Sequence, residues 1–154
     1  MSLVNQLISH ANLGRMLSDG EVSQYSPTEI REAIQQLVAN DNNDLAYALG
    51  DAGISLYPNN EDMLAINGLL AIMRQDWRLG VDYLEDLMTL QGELTQPFTF
   101  VMLVRALRCN LDPARALEVV RKGLKAYPQH TDLMAESLSL EGFSDAIHST
   151  EVAH

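Results

Sequence analysis

The side chains through which this chain could do chemistry are four histidines, one cysteine and several adjacent carboxylates. A metal site or a proton relay needs such groups to converge. His10, His130, His148 and His154 are scattered, and none has a histidine at i+4 or a cysteine at metal-ligand spacing. Cys109 follows Arg105 and Arg108 near a helix end, but no general base is identifiable beside it, so it reads as a helix cysteine and not a nucleophile. Glu61-Asp62 and Glu85-Asp86 read as solvated helix residues, not as an acid/base pair. No glycine-rich loop of phosphate-binding or dinucleotide-binding type occurs. The expectation is a protein that is not an enzyme, with no catalytic residue, no metal and no cofactor.

What remains is a surface, and composition limits what it meets. At 154 residues the chain can bury a core without staples. A single cysteine excludes an internal disulfide framework and suits a reducing compartment. No run approaches the roughly 18 apolar residues of a membrane span, and residues 1–10 lack the basic start of a secretory signal. A cytoplasmic location without membrane insertion is expected. The net charge of −11 argues against nucleic acid, whose backbone is held by clustered Lys and Arg. Charge is also uneven. Ten acidic residues lie between Asp41 and Glu93 against Arg74 and Arg78, while six basic ones lie between Arg105 and Lys125 against Asp112 and Glu118. The basic stretch is either a solvated helix face or a patch for an acidic partner.

The elements that position this surface are all helical, because no segment alternates with period two. Leu3, Leu7, Ile8 and Ala11 predict a short amphipathic helix over 3–18. Ser26-Pro27-Thr28-Glu29 is a capping box with proline in the first turn, opening a helix that ends at the Asn40–Asn43 cluster. A second helix runs from Asp44 to about Leu56, where Tyr57-Pro58 ends it. Asn60 opens a third over about 61–74, and Asp76 a fourth from Trp77 to about Leu90, with Gly92 just past its end. Gln96-Pro97 and Asp112-Pro113 open a fifth and a sixth, ending near Cys109 and at Ala126. A seventh is expected from Thr131, ending by Gly142, with 143–154 a flexible tail.

Two stretches nearly repeat: Gly53-Ile-Ser-Leu-Tyr-Pro-Asn-Asn-Glu-Asp-Met-Leu64 and Gly123-Leu-Lys-Ala-Tyr-Pro-Gln-His-Thr-Asp-Leu-Met134. Their prolines, Pro58 and Pro128, are 70 residues apart, or two periods of about 35. The units are 27–60, 61–96 and 97–130. On these residues the chain resembles the tetratricopeptide repeat family. The family's small residue early in the second helix falls on Ala46, Gly80 and Ala116, and the next small position on Gly53, Leu87 and Gly123. The closing proline is missing from the middle unit, and of the turn aromatics only Trp77 is present. The resemblance covers about Ser26 to Leu140. It implies an all-α, right-handed superhelix of about three hairpins in one domain over 1–142, with terminal helices as caps. Tyr57 and Tyr127 are expected to be packing aromatics at hairpin ends.

The third and fifth helices, around Met63–Met73 and Phe98–Leu107, are apolar nearly all round, so each must be covered on more than one side. By the resemblance, the first helix of each hairpin lines a concave groove. The partner-binding residues it implies are Arg31, Gln35, Ala65, Leu69, Ile72, Met73, Phe98, Val101, Arg105 and Arg108, with Thr28 beside them. The family's carboxylate clamp would fall on Arg31, Gln35, Ile66, Phe98 and Met102; only Arg31 keeps a comparable charge, so that activity is not expected. The function implied is a protein-binding module holding an apolar segment of a protein or peptide partner, similar to the small cytoplasmic chaperones of bacterial type III secretion, with a secreted subunit as partner. The alternative is a self-assembling scaffold whose apolar surface forms a homodimer.

Overall fold

Short polar signals set where four of the helices begin. Ser26 Oγ accepts a hydrogen bond from the Glu29 amide at 3.2 Å, and the Glu29 carboxylate accepts one from the Ser26 amide at 3.1 Å. This reciprocal box satisfies two otherwise orphaned donors and launches α1, Pro27–Ala39. There follow α2 (Asn43–Leu56), α3 (Glu61–Met73), α4 (Trp77–Gln91), a 3-10 turn (Gly92–Leu94), α5 (Pro97–Cys109), α6 (Pro113–Ala126) and α7 (Thr131–Val152). Asn60, Asp76 and Asp112 cap α3, α4 and α6 by accepting from the amides of Met63, Leu79 and Arg115. The structure is a computed structural model describing Val4 and residues 22–152, with side chains described as far as Gly142. Among the described residues there is no strand. The helix expected over 3–18 lies, except for Val4, outside them.

The turn inside each hairpin has one geometry. A non-glycine residue takes positive φ at Asp41 (59°) and Leu111 (60°), reversing the chain within a few residues, and Gln75 (62°) shares that backbone conformation. The Asn42 and Asp112 amides then donate back to the Leu37 and Leu107 carbonyls, at 2.8 and 2.9 Å.

One domain over 1–142 is the sequence expectation; the chain divides into two compact units, Met1–Arg74 and Gln75–His154. The boundary falls at the turn inside the middle repeat. In the first unit α1, α2 and α3 pack pairwise; in the second, α5, α6 and α7 do the same, with α4 added against α5. Ile30, Ile34 and Leu37 of α1, Ala46 and Leu49 of α2, and Met63, Ile66 and Leu70 of α3 form the first core, joined by Val4 and Val22. Fully burying such a side chain contributes about 1.5–3 kcal/mol.

The helices of the two three-helix modules start at an offset of 70 residues. Gly53 would place a Cβ 3.1 Å from Ile30 Cγ2 and 2.7 Å from Met63 Sδ; Gly123 would place one 3.0 Å from Phe100 Cγ and 3.2 Å from Leu133 Cδ1. Each glycine thus lets the second helix of a hairpin lie close against the first helix of its own hairpin and of the next. The tyrosines follow the same offset. Tyr57 Oη donates to the Tyr25 carbonyl at 3.0 Å and Tyr127 Oη to the Thr95 carbonyl at 2.7 Å. Each ties the end of a hairpin back to the residue before its first helix cap. They are hydrogen-bonded clasps as well as packing aromatics.

The last helix departs from expectation. Gly142 does not end it, and helical backbone continues to Val152, through most of the segment read as a tail. Among the described glycines only Gly92 has positive φ, so Gly142 is not in the left-handed conformation that stops a helix. An interior glycine costs a helix only about 1 kcal/mol, and no proline follows to enforce a stop.

Candidate functional site

The first unit leaves one strip of α3 accessible. Met63, Leu64, Ile66, Asn67, Leu70 and Ala71 are buried, with Asn67 Nδ2 donating to the Met63 carbonyl at 2.9 Å. Ala65, Leu69 and Ile72 are half-buried and Met73 is 36% exposed. These four recur at helical spacing along one side, although Leu69 also leans on the core. Beside the start of α3, Arg31 donates to Asp62 Oδ1 at 2.7 Å while Thr28 Oγ1 donates to Oδ2 at 3.0 Å. Arg31 therefore already has a carboxylate. Gln35 is exposed.

The second unit carries the other expected residues. Phe98, in the first turn of α5, is 43% exposed. Val101 is 5% exposed and belongs to the packing, not to a contact surface. The reason is that α5 is packed against α4, α6 and α7 at once, so little of its apolar face is free. Arg105 and Arg108 are exposed but do not wait for an acidic ligand unaided. Arg105 Nε donates to Glu136 Oε1 at 3.1 Å, and Arg108 donates to Glu136 Oε2 and, at 3.0 Å, to Ser139 Oγ. Glu136 projects from α7 and its side chain is only 11% exposed. One largely buried carboxylate thus orients two guanidinium groups.

Beside this cluster lies a cavity of about 550 Å³ lined by Arg108, Leu111, Pro113, Ser139 and Leu140. A smaller one of about 280 Å³, lined by Arg105, Arg108 and Cys109, shares Arg108 with it. Sequence reasoning missed Glu136, Ser139 and the cavity, because they depend on α7 lying across the end of α5. One signal was present: the left-handed turn position held by Asp41 and Gln75 is held here by an apolar residue, Leu111, which is 87% exposed.

Cys109 is exposed. Among the described residues no three His, Cys, Asp or Glu side chains are grouped to hold a metal ion, and no helix is long and apolar enough to cross a membrane.

No family model matches the sequence. No curated protein matches it either. Solved structures do match the fold. The TPR domain of Arabidopsis OM64 is similar with a TM-score of 0.67 and 11% identity, over 76% of this chain and 95% of that one. MamA residues 41 to the end from Desulfovibrio magneticus RS-1 gives 0.69 and 16%, over 83% and 74%. MamA of MSR-1 gives 0.70 and 16%, over 94% and 86%. At these identities the likeness concerns architecture: this chain has the helical-hairpin repeat fold of tetratricopeptide domains.

Proposed function

We propose that the protein is a non-catalytic binding module that holds an apolar segment of a partner protein. The observation that carries this reading is the strip Ala65, Leu69, Ile72 and Met73, left partly open on a helix otherwise buried. A helix covered on most sides yet apolar along its open edge suits an amphipathic helix or extended segment laid along it, and Met73 can adapt to different side chains. Phe98 is a separate exposed apolar side chain of the second unit. Tetratricopeptide-type architecture supports a protein-interaction role without naming the partner.

The narrower proposal is a cytoplasmic chaperone or adaptor of the bacterial type III secretion kind, which keeps a secreted subunit from assembling early. Its support is the acidity and the open apolar strip. The test is to co-express the chain with secreted subunits encoded beside it, alone and as Met73→Asp with Phe98→Asp. Both side chains are exposed, so the helical circular dichroism signal should be retained while co-purification is lost. Undiminished co-purification by a folded double variant refutes the site.

A further inference from the structure

The second reading, self-assembly, has its own observations, which lie away from the α3 strip. At the junction before α5 the chain has no Tyr-Pro. Instead Gly92, with φ 58°, starts a 3-10 turn that presents Glu93 and Leu94 to solvent, Leu94 being 77% exposed. A leucine this open at the tip of a turn, beside a carboxylate, forms an acidic-apolar projection. The cavity past the far end of α5 has the complementary character. Leu111, Pro113 and Leu140 line it, and Arg108 stands at its wall. Arg105 and Arg108 share the single carboxylate of Glu136, and the terminal nitrogens of Arg105 have no hydrogen-bond partner among the described residues. The cluster therefore keeps one net positive charge in a chain of net charge −11.

The first unit is an internal control for these features. Seventy residues upstream, Arg105, Arg108, Leu111 and Glu136 become Gln35, Val38, Asp41 and Ile66, on the same three-helix scaffold. The same scaffold is built in the first module without the arginine pair or an exposed leucine in the turn, so in the second module the charge left beyond Glu136 and the open Leu111 are free to meet another occupant. That occupant is not the chain's own projection. Glu93 and Leu94 precede α5 and the cavity follows it, and 13 helical residues separate the two by about 20 Å.

We infer that the chain associates head to tail, with Leu94 of one copy entering the cavity beside Leu111 of the next and Glu93 meeting Arg105 and Arg108. The contact is heterologous: each copy offers one projection and one cavity, so it propagates into rows unless the rotation closes a ring. It goes beyond the partner strip proposed above and shares no residue with α3.

Sedimentation velocity on the full chain from micromolar to near-millimolar concentration tests it. The wild type should show concentration-dependent oligomers that weaken as salt is raised. Leu94→Asp and Leu111→Asp alter only exposed side chains, and Asp41 already occupies the turn position equivalent to Leu111. Each should weaken self-association about tenfold or more. Mixed together, the two variants should form 1:1 dimers and nothing larger, because only one intact projection and one intact cavity remain per pair. A wild type that stays monomeric throughout overturns the proposal and leaves the cavity to a different partner. So does association that either variant leaves unchanged, or a mixture that fails to pair. Co-purification of a secreted subunit by Leu94→Asp, lost in Met73→Asp with Phe98→Asp, keeps the two readings distinguishable.

Discussion

Gly53 and Gly123 occupy the same place in two copies of one packing motif, so the same substitution can be made twice in one protein with different expected outcomes. Replacing a helical glycine by alanine favours folding by about 0.8–1.0 kcal/mol through helix propensity and unfolded-chain entropy. Against this stands overpacking, which costs about 1–3 kcal/mol when neighbours cannot move. At Gly123 the new Cβ meets Phe100 Cγ at 3.0 Å and Phe100 Cβ at 3.2 Å. Those atoms lie within two bonds of the α5 backbone, so relief requires α5 itself to shift. At Gly53 the closest approach, 2.7 Å, is to Met63 Sδ near the end of an unbranched side chain, and the one contact near the backbone, Ile30 Cγ2, is a single methyl at 3.1 Å. Gly123→Ala should therefore lose about 1–2 kcal/mol, while Gly53→Ala should stay within about 1 kcal/mol of wild type as propensity offsets the clash. Urea unfolding measures both. Trp77, the single tryptophan, lies in the second unit with Gly123, so its fluorescence should report the Gly123→Ala loss, while far-UV circular dichroism follows both units. A melting shift of about 2–4 °C per kcal/mol gives an independent check. The reasoning fails if Gly123→Ala is as stable as wild type, or if Gly53→Ala is the more damaging of the two.

The clasps and the charge cluster give further tests. Tyr127→Phe removes the hydroxyl that donates to the Thr95 carbonyl and should cost about 0.5–1.5 kcal/mol, with Tyr57→Phe losing a similar amount in the first unit; equal stability of both variants and wild type in urea would exclude a clasp role. Glu136→Gln leaves two guanidinium groups without their shared carboxylate. Because Arg105 and Arg108 are well exposed, the expected loss is about 1–2 kcal/mol in low salt, less than for a fully buried pair. It should shrink in high salt as their repulsion is screened, and a salt-independent loss would point to packing instead.

Much of the local structure was legible in the chain because it depends on neighbours in sequence. The Ser26 box, the Asn60, Asp76 and Asp112 caps, and the stops at Tyr57 and Tyr127 are contests between backbone groups and side chains a few residues away. The helix end at Gly142 was misjudged for a related reason: a glycine permits a stop without imposing one, and nothing nearby enforces it. The candidate site was legible only in part. Of the groove residues that the resemblance implies, Leu69 and Ile72 are half-buried, Met73 and Phe98 exposed and Val101 buried, because burial depends on how many helices surround each one.

By itself the sequence determined the helix boundaries that caps and prolines enforce, from Pro27 to the start at Thr131, and the 70-residue register through Gly53, Tyr57, Gly123 and Tyr127, because these act over one turn or recur in the chain. Tertiary structure alone decided that Glu136 takes both arginines, that the tyrosine hydroxyls reach carbonyls 32 residues back, and that a cavity opens beside Leu111. Each of these joins helices whose contact no local pattern encodes. Distance in the chain says nothing about separation in space until the close approach at Gly53 and Gly123 has set how the helices stack.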